Sequence, residues 1–304
     1  SSPNDDLGRV EFVTGDNSSG EGVRAAIRCR NLQYYNNHDL TFETVGPTGT
    51  TLTEKVRITS GGLVGINTAT PTAQLSFLAK RSTQTMPPIC FQTAYGAGLA
   101  DAAISTTDDS GGTDIMMGSN VYMGQNGAFV RYYNSYGSAA VRCQYTGKTL
   151  FYNKSGNNAP EESMRIDGNG RLLIGATAVR DVGGLSSQTL AIEGTDGPSS
   201  SLSLIDNQNS AGGCGSLNFA KSRGTSVGSN TIVQDGDSLG AIAWCAADGN
   251  DIANQSAKIS CTVDAPPGSN DTAGRLKFFT AEDGSSSPTS RLEINKDGYV
   301  YVKT

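Results

Sequence analysis

The chain has 304 residues, of which 38 are glycine, 36% are apolar and 17% are charged. Acidic residues outnumber basic ones by 29 to 23 without a basic cluster, which argues against a nucleic-acid partner. His38 is the only histidine, and no apolar run approaches the roughly 20 residues of a membrane-spanning helix. We therefore expect no nucleic acid, no metal or other cofactor, and no membrane insertion.

Apolar and polar residues alternate with a period of two along most of the chain, which is typical of β-strands with one buried and one wet face. Turn signals rich in Gly, Asn and Asp separate these runs, and no helix longer than two turns is expected. The sequence therefore predicts an all-β fold. The alternating pairs are, in chain order, Val10/Phe12, Leu40/Phe42, Val56/Ile58, Leu75/Phe77, Leu150/Tyr152, Met164/Ile166, Leu190/Ile192, Leu202/Leu204, Leu217/Phe219, Ile242/Trp244, Leu276/Phe278 and Leu292/Ile294.

An internal repeat divides the chain. Residues 56–66, 164–174 and 292–302 align without gaps, and each segment predicts a β-hairpin: a strand, a turn ending in Gly62, Gly170 or Gly298, and a second strand. We expect positive φ at these three glycines. Gly65 lies in the outgoing strand of the first hairpin, where we expect an alanine to be tolerated.

Further strands precede each hairpin and extend the match. Ala25–Cys29 is similar to Ala139–Cys143, Cys261 occupies the corresponding place in the third unit, and Gly8–Phe12 is similar to Gly240–Trp244. The sequence thus predicts three tandem β-modules at 1–75, 76–187 and 188–304, joined near residues 67–74 and 176–187.

Six cysteines occur without any CxxC pair, in a chain much longer than small disulfide-stapled domains. Cys29, Cys143 and Cys261 lie on the apolar side of their predicted strands. We expect them to be buried free thiols that resist alkylation until unfolding, while disulfides remain the alternative.

The first hairpin carries a resemblance to a known family. Arg57–Thr68 followed by Pro71 resembles the recurring "RITSxGxVGIGTxxP" unit of tail fibre proteins of tailed bacteriophages, common in marine phages. Gly215–Gly298 and Gly8–Arg30 resemble other recurrent modules of such fibres, whereas residues 80–140 match poorly. The resemblance covers more than half of the chain, although the motif also occurs in some bacterial surface proteins.

This resemblance implies an elongated, intertwined parallel homotrimer whose modules form the shaft of a fibre. It implies a location in the virion tail fibre, synthesis in the host cytoplasm, contacts with other tail or baseplate proteins, and attachment to a bacterial surface glycan. An attachment region before the shaft and a self-cleaving chaperone after it are usual in such fibres, and neither is visible here. We therefore expect the chain to be a fragment or a processed product.

The composition favours a trimer independently of the resemblance. Short strands, many glycines and few apolar residues give one copy too little surface to bury. Intertwining three copies would pair the apolar faces and remove exposed strand edges. Arg57 and Arg165 point away from the apolar side, where solvated positions or interchain ion pairs are expected.

Two aromatic-polar clusters are candidate glycan-binding sites, because aromatic rings stack on sugar faces; ordinary strand residues are the alternative for both. Paired carboxylates at Asp108/Asp109, Asp235/Asp237 and Asp248/Asp251 are candidates for glycoside hydrolysis or calcium binding, but their turn contexts favour local hydrogen bonding. No catalytic residue is therefore assigned. The aromatic clusters comprise Tyr34, Tyr35 and His38 in one stretch and Tyr132, Tyr133 and Tyr136 in the other.

The sequence therefore favours a structural and adhesive tail fibre segment without enzymatic activity. Two alternatives stay open, a tailspike-like glycan depolymerase and a bacterial surface adhesin or appendage protein. A depolymerase is expected to show regular parallel β-helix rungs and a carboxylate-rich cleft, and the heterogeneous modules of this chain do not favour it.

Overall fold

The computed structural model describes residues 6–15, 22–31, 37–46, 51–77, 87–92, 101–109, 112–124, 127–209 and 211–303. Within these ranges the chain is all-β, with 21 strands and a 3₁₀ turn at Pro198–Ser200. This part of the chain contains no helix long and apolar enough to cross a membrane. The chain divides into two compact units, Ser1–Glu162 and Ser163–Thr304.

The first unit opens with a six-stranded sheet, the first sheet, whose strands follow one another in chain order. Its pairings are antiparallel except the last, in which β5 and β6 run parallel. The strands are β1 (Asp6–Thr14), β2 (Gly22–Asn31), β3 (His38–Val45), β4 (Leu52–Ile58), β5 (Val64–Ile66) and β6 (Leu75–Phe77).

The rest of the first unit contains a second set of strands, the middle sheet, with the order β7-β8-β9-β12-β13. Strands β10 and β11 pair with each other as a separate ribbon. The strands are β7 (Ile89–Phe91), β8 (Ala102–Asp109), β9 (Gly112–Ser119), β10 (Val121–Met123), β11 (Phe129–Arg131), β12 (Ser138–Cys143) and β13 (Thr149–Lys154).

The second unit holds two groups of strands. Strand β14 (Glu161–Ile166), which begins at the unit boundary, pairs with β15 (Leu172–Ile174), and β16 (Leu190–Ile192) pairs parallel to β15. The third sheet contains the last five strands in chain order. They are β17 (Ser238–Cys245), β18 (Gln255–Val263), β19 (Gly274–Thr280), β20 (Thr289–Ile294) and β21 (Val300–Val302).

The first and third sheets share one register. Gly8 pairs with Cys29 as Gly240 pairs with Cys261, and both β1–β2 and β17–β18 carry register shifts at corresponding ends. The pairings β2–β3 and β3–β4 correspond in the same way to β18–β19 and β19–β20. The register of β3–β4 shifts directly after Phe42, as that of β19–β20 shifts directly after Phe278. The sequence alignment of Gly8–Phe12 with Gly240–Trp244 thus corresponds to a matching strand geometry.

The three predicted hairpins are confirmed. Gly62, Gly170 and Gly298 have φ of 79°, 77° and 79°, and each donates its amide to the carbonyl three residues earlier at 2.9–3.0 Å. This geometry joins a tight turn to a residue in the left-handed region, where glycine has no steric penalty. The expectation for Gly65 is wrong, since a Cβ there would overlap the backbone oxygen of Thr68.

Two of the predicted strands do not form. Residues 202–204 and 217–219 alternate as the others do, yet the described residues between β16 and β17 contain no strand. A strand needs a hydrogen-bonded neighbour, and these segments have none among the described residues. All other alternating pairs lie in strands.

Candidate functional site: the apolar sheet faces

The first sheet presents a continuous apolar face. Two rows of paired residues cross it, and their side chains are exposed or half-buried, with Val10 at 58% and Phe12 at 54% exposure. The expectation that this face is buried is therefore wrong for a single chain, because no described part of the chain covers it. The rows are Val10-Ile27-Phe42-Val56-Ile66-Phe77 and Gly8-Cys29-Leu40-Ile58-Val64-Leu75.

The third sheet repeats this face in the same register. Ile242 is 46% exposed and Trp244 is 51% exposed, at the positions that correspond to Val10 and Phe12. The rows continue across all five strands as Ile242-Ile259-Phe278-Leu292-Val302 and Gly240-Cys261-Leu276-Ile294-Val300. Exposed apolar faces of this extent mark surfaces that associate with something else.

The opposite face of the first sheet is polar and nevertheless buried. Along β3 the buried residues are Asp39, Thr41 and Glu43, with exposures of 1%, 0% and 3%, whereas Leu40 and Phe42 between them are exposed. Glu43 pairs with Arg28 at 3.1 Å and with Arg30 at 2.5 Å. Arginine side chains thus screen the carboxylates of this face from water, and the alternation of buried and exposed residues is the reverse of the usual one.

Arg57 belongs to the same polar face, and the expectation that it is solvated or pairs between chains is wrong. It is 8% exposed and pairs with Asp39 and Glu54 of its own chain, both at 2.6 Å. The hydrogen bond to Glu54 is the main cause that raises the pKa of Arg57, so this guanidinium stays charged. Arg165 is half-buried and donates to the Thr177 carbonyl at 2.9 Å.

Asp39 links this ion pair to the first hairpin. Its Oδ2 accepts a hydrogen bond from the Arg57 guanidinium. Its Oδ1 accepts a hydrogen bond of 2.9 Å from the backbone amide of Ser60, which is the first residue inside the turn. One buried carboxylate therefore fixes both a strand arginine and a turn, an arrangement that we call the carboxylate clamp. Two further clamps are Asp264 with Arg275 and the Lys296 amide, and Asp114 with Arg142 and the Tyr145 amide.

The clamps confine charge to one side of each sheet. In the third sheet the Lys296 amide and Arg275 hold the pKa of Asp264 below its usual range, and Lys303 together with Arg275 does the same for Glu293. Ionised, hydrogen-bonded carboxylates of this kind have little capacity left for another partner. The side of the sheet that can still gain from a partner is the apolar one.

Cysteines lie within the apolar rows. All six are free thiols in the structure. The expected burial of three of them is wrong for a single chain, because Cys29 and Cys261 are only half-buried and Cys143 is exposed. Cys29 and Cys261 occupy corresponding positions, next to Gly8 and Gly240, so whatever covers these faces also covers their thiols.

The loop that joins the β10–β11 ribbon to β12 of the middle sheet carries the candidate aromatic cluster of Tyr132, Tyr133 and Tyr136. Tyr133 and Tyr136 are 38% and 46% exposed, and their rings lie 5.3 Å apart at 35°. Tyr132 instead lies half-buried beside Tyr122, and its hydroxyl is 3.2 Å from the thiol of Cys90. Burial and this thiol raise the pKa of Tyr132, so its hydroxyl remains protonated and its ring belongs to the interior.

The loop that carries the two exposed rings is held by two side chains. Asn120, with φ of 57° and 1% exposure, accepts from the Tyr133 amide at 2.8 Å and donates to the carbonyls of Tyr133 and Tyr136. Arg131 donates to the carbonyls of Asn134, Tyr136 and Gly156. The ring pair therefore sits on a fixed backbone.

The other candidate residues do not gather into a site. His38 is exposed at the start of β3, and Tyr34 and Tyr35 lie outside the described residues. Asp248 accepts the amides of Asn250 and Asp251 within its own turn, which lowers its pKa. Asp237 pairs with Arg223 at 2.7 Å through both oxygens, which lowers its pKa as well.

These carboxylates stabilise their turns, as the sequence context favours. The side chains of Asp108 and Asp109 are outside the description. Across the described ranges no three His, Cys, Asp or Glu side chains are grouped closely enough to hold a metal ion.

Comparison with known proteins gives limited matches. No protein-family model matches the chain, and no curated protein matches its sequence. Among solved structures, the chain is similar to the carboxy-terminal domain of the bacteriophage T5 L-shaped tail fibre, with 12% identity over 97% of this chain and 91% of that one and a TM-score of 0.42. The same domain with its intramolecular chaperone matches at 15% identity over 68% of this chain and 63% of that one, with a TM-score of 0.25.

Both TM-scores are low, so the function proposed below rests on the residues and surfaces of this chain. The carboxylate clamps could not be predicted from local motifs, because Asp39 lies in β3 and Asp264 directly follows β18, and the arginine partner of each lies on a neighbouring strand. Sequence analysis also missed Asn120 and Arg131, whose partners lie up to 25 residues away along the chain. A signal was available for the clamps, since a charged residue inside an alternating strand usually has an opposite charge on the neighbouring strand.

Proposed function

We propose that this chain is a segment of a bacteriophage tail fibre, a structural and adhesive virion protein that assembles as an elongated, intertwined parallel homotrimer. The observation that carries the proposal is the pair of apolar faces on the first and third sheets, each exposed in the single chain and each opposite a polar face with paired carboxylates. The fibre-like motif of Arg57–Pro71 supports the same conclusion from the sequence.

The repeated register favours further copies of the same chain as the partner. A partner that covers both the first and the third sheet must offer apolar surface at two places with the same strand register. A second and a third copy of this chain carry the same two apolar faces in the same register. In a closed symmetric assembly every copy makes the same contacts, so no apolar face is left uncovered. Burying two such faces per chain would supply the hydrophobic stabilisation that a single-layer sheet lacks.

In this proposal the modules 1–75, 76–187 and 188–304 form successive levels of the shaft. The fibre belongs to the virion, is made in the host cytoplasm, and contacts other tail or baseplate proteins. The placement of the first hairpin within the first sheet and of the third hairpin within the third sheet supports successive levels. The strand β16, at the start of the third module, pairs with β15 of the second and would join the two levels.

The test is the solution mass and shape of the 304-residue chain. Multi-angle light scattering is expected to give three times the chain mass of 31.6 kDa, and small-angle scattering is expected to give a rod-shaped particle. A stable monomer at micromolar concentration would overturn the proposal. A dimer would contradict the threefold arrangement while leaving the apolar faces as the contact surfaces.

Thiol accessibility gives a second, residue-level readout. Cys29 and Cys261 are half-buried in one chain and are expected to resist alkylation in the trimer, because neighbouring copies cover their rows. The same two thiols in urea-unfolded protein serve as the reactive reference. Alkylation of Cys29 and Cys261 in the native particle as fast as in the unfolded protein would contradict the proposed contact surface.

We propose in addition that Tyr133 and Tyr136 contribute to host attachment by binding a surface glycan. Two exposed rings on a fixed loop offer adjacent apolar planes, and the tyrosine hydroxyls can hydrogen-bond sugar hydroxyls. Under this proposal Tyr132 supports the loop from the interior, while His38, Tyr34 and Tyr35 remain a separate candidate patch.

An array of bacterial lipopolysaccharides and capsular polysaccharides tests the glycan site. Tyr133→Ala and Tyr136→Ala are each expected to reduce any glycan signal at least tenfold, and the corresponding change at an exposed tyrosine of the third hairpin, Tyr299→Ala, is expected to leave it unchanged. Binding that survives both loop substitutions would exclude this site. No binding to any glycan by the wild-type trimer would leave the segment a shaft without a receptor role.

A further inference from the structure

The connection between β16 and β17 is unusual for its length and its lack of regular structure. Residues 193–237 contain no strand and only the 3₁₀ turn at Pro198–Ser200 within their described part. Connections longer than about 12–15 residues without secondary structure are uncommon in compact domains and usually have a function. This one also carries alternating apolar residues.

Two parts of this connection face each other. We name them arm A (201–208) and arm B (213–220), and a turn at residues 211–212 separates them. The carbonyl oxygen of Leu204 lies 2.9 Å from the position of a Cβ built on Gly215, so the arms pass side by side at backbone distance. Ser201, at the start of arm A, has the extended backbone of a strand.

The arms nevertheless form no ladder with each other. Among their described residues no backbone amide donates to a backbone carbonyl. Leu204 and Leu217 are 54% and 62% exposed, with Leu202 and Phe219 at 67% and 52%. A segment with both unpaired backbone groups and exposed apolar side chains lacks the two interactions that normally order an extended chain.

Arm B lies on the apolar face of the third sheet. Phe219 packs so closely against Gly240 that a Cβ built on Gly240 would lie 2.5 Å from the Cβ of Phe219. Leu217 and Phe219 line an open apolar groove of about 320 Å³ together with Ile242, Ile259 and Leu276. The arms therefore stand at the surface that the proposed trimer would bury.

We infer that arms A and B complete β-pairing with the arms of neighbouring copies, so that this connection becomes an interchain β-structure in the fibre. The inference rests on the proposed homotrimer. Open backbone groups call for a strand as partner, because a smooth apolar surface would leave them unsatisfied. A copy of this chain supplies strands of the same length and alternation at the same level of the shaft.

Hydrogen–deuterium exchange on the assembled 304-residue protein tests the inference. The amides of 202–207 and 214–219 have no backbone partner in the part of the chain that the structure describes, yet in the trimer they are expected to exchange more slowly than in urea-unfolded protein by at least an order of magnitude. If the mass is trimeric and these amides exchange as fast as in the unfolded chain, the inference fails and the proposed function stands. If the protein is monomeric, both fail.

A matched pair of variants in arm B sharpens the test. Leu217→Asp places a charge in the apolar groove, whereas Ser216→Asp places the same charge at an exposed position of arm B that does not line the groove. Leu217→Asp is expected to remove the exchange protection of both arms, and Ser216→Asp is expected to retain it. Loss of protection in both variants, or in neither, would overturn the assignment of interchain strands.

Discussion

The middle sheet differs from the first and third sheets in having one of its faces covered by a ribbon of the same chain, while Phe91, Ile115 and Met117 on its other face are exposed. In the middle sheet the β10–β11 ribbon packs on one face and encloses Met116, Val121 and Met123, each with 0% exposure, against Phe129 and Tyr152. No described part of the chain covers the apolar face of the first sheet, and arm B covers only part of that of the third sheet, so Phe12 and Trp244 stay more than half exposed.

This contrast separates local from assembled stability. A core within one chain contributes at any protein concentration, whereas a face that needs other copies contributes only when they are bound. When the protein is diluted, the middle sheet is therefore expected to remain folded at lower concentrations than the first and third sheets, which we call the outer sheets. The fixed tyrosine loop belongs to the middle sheet, so the candidate glycan site is placed on the part of the chain that depends least on assembly.

The largest effect is expected from a charge on an outer apolar face. Phe12→Asp and Trp244→Asp change corresponding side chains that are 54% and 51% exposed in one chain, so an isolated chain would lose little stability. In the trimer each substitution buries three uncompensated carboxylates. Light scattering is expected to show monomer in place of trimer for either variant.

Val227→Asp is the control for these two variants. Val227 is fully exposed in a turn away from the strands, so the same chemical change there is expected to leave the trimer intact. A trimeric Phe12→Asp and Trp244→Asp double variant would show that the outer faces are not the contact surfaces.

The next effect is expected in the middle sheet. Met123→Ala removes a fully buried side chain from the core under the ribbon and should lower the free energy of unfolding by about 2–5 kcal/mol per chain. Chemical denaturation measures the loss. The particle mass should stay trimeric, in contrast to the outer-face variants, and conversion of Met123→Ala to monomer would contradict the division into local and assembled stability.

The comparison also explains how far the sequence alone could predict this molecule. Ten of the twelve predicted alternating strands, the three hairpins and the equivalence of Gly8–Phe12 with Gly240–Trp244 followed from alternation and repetition, which are local patterns. Which face would be buried could not follow, because alternation places Leu40 and Asp39 on opposite faces without saying which face the chain itself covers. In β3 it is the face of Asp39.

Other features depend on contacts distant in sequence. Leu217 and Phe219 have the pattern of a strand, but pattern alone cannot supply the neighbour that a strand requires. Gly65 has the position of an ordinary strand residue, yet the return of the chain at Thr68 leaves no room for a Cβ. The exposed pair Tyr133 and Tyr136 was selected from sequence, whereas the Asn120 and Arg131 contacts that fix it were not.

A smaller effect is expected in the hairpin turns. Gly62→Ala forces a side chain into a φ of 79°, which should cost about 1 kcal/mol per chain and about 3 kcal/mol per trimer. Its neighbour Gly61 is the control, because a Cβ there meets no atom closer than 3.8 Å and its φ is not positive. The melting temperature should fall for Gly62→Ala and stay unchanged for Gly61→Ala. An equal fall for both variants would contradict the explanation by backbone strain at Gly62.

The smallest effect is the expected pH dependence of stability at the second hairpin. Of the three hairpin turns, this one has a carboxylate at its first position. Thr59, Asp167 and Asn295 correspond, and the side-chain oxygen of each accepts the amide four residues later. The hydrogen bond from Arg171 is the main cause that lowers the pKa of Asp167 from 3.8 to about 2.

Because the pKa of Asp167 is lower in the folded chain than in the unfolded one, its stabilising contribution is full above about pH 4 and disappears as the pH falls toward 2. Asp167→Asn reproduces the turn of Asn295, whose Oδ1 accepts the Asp297 amide as Asp167 Oδ1 accepts that of Asn169, but it cannot titrate. The difference in melting temperature between wild type and Asp167→Asn should therefore shrink between pH 4 and pH 2. A difference that stays constant across this window would show that the turn does not depend on the charge of Asp167, and that all three hairpins are held by neutral hydrogen bonds and their glycines alone.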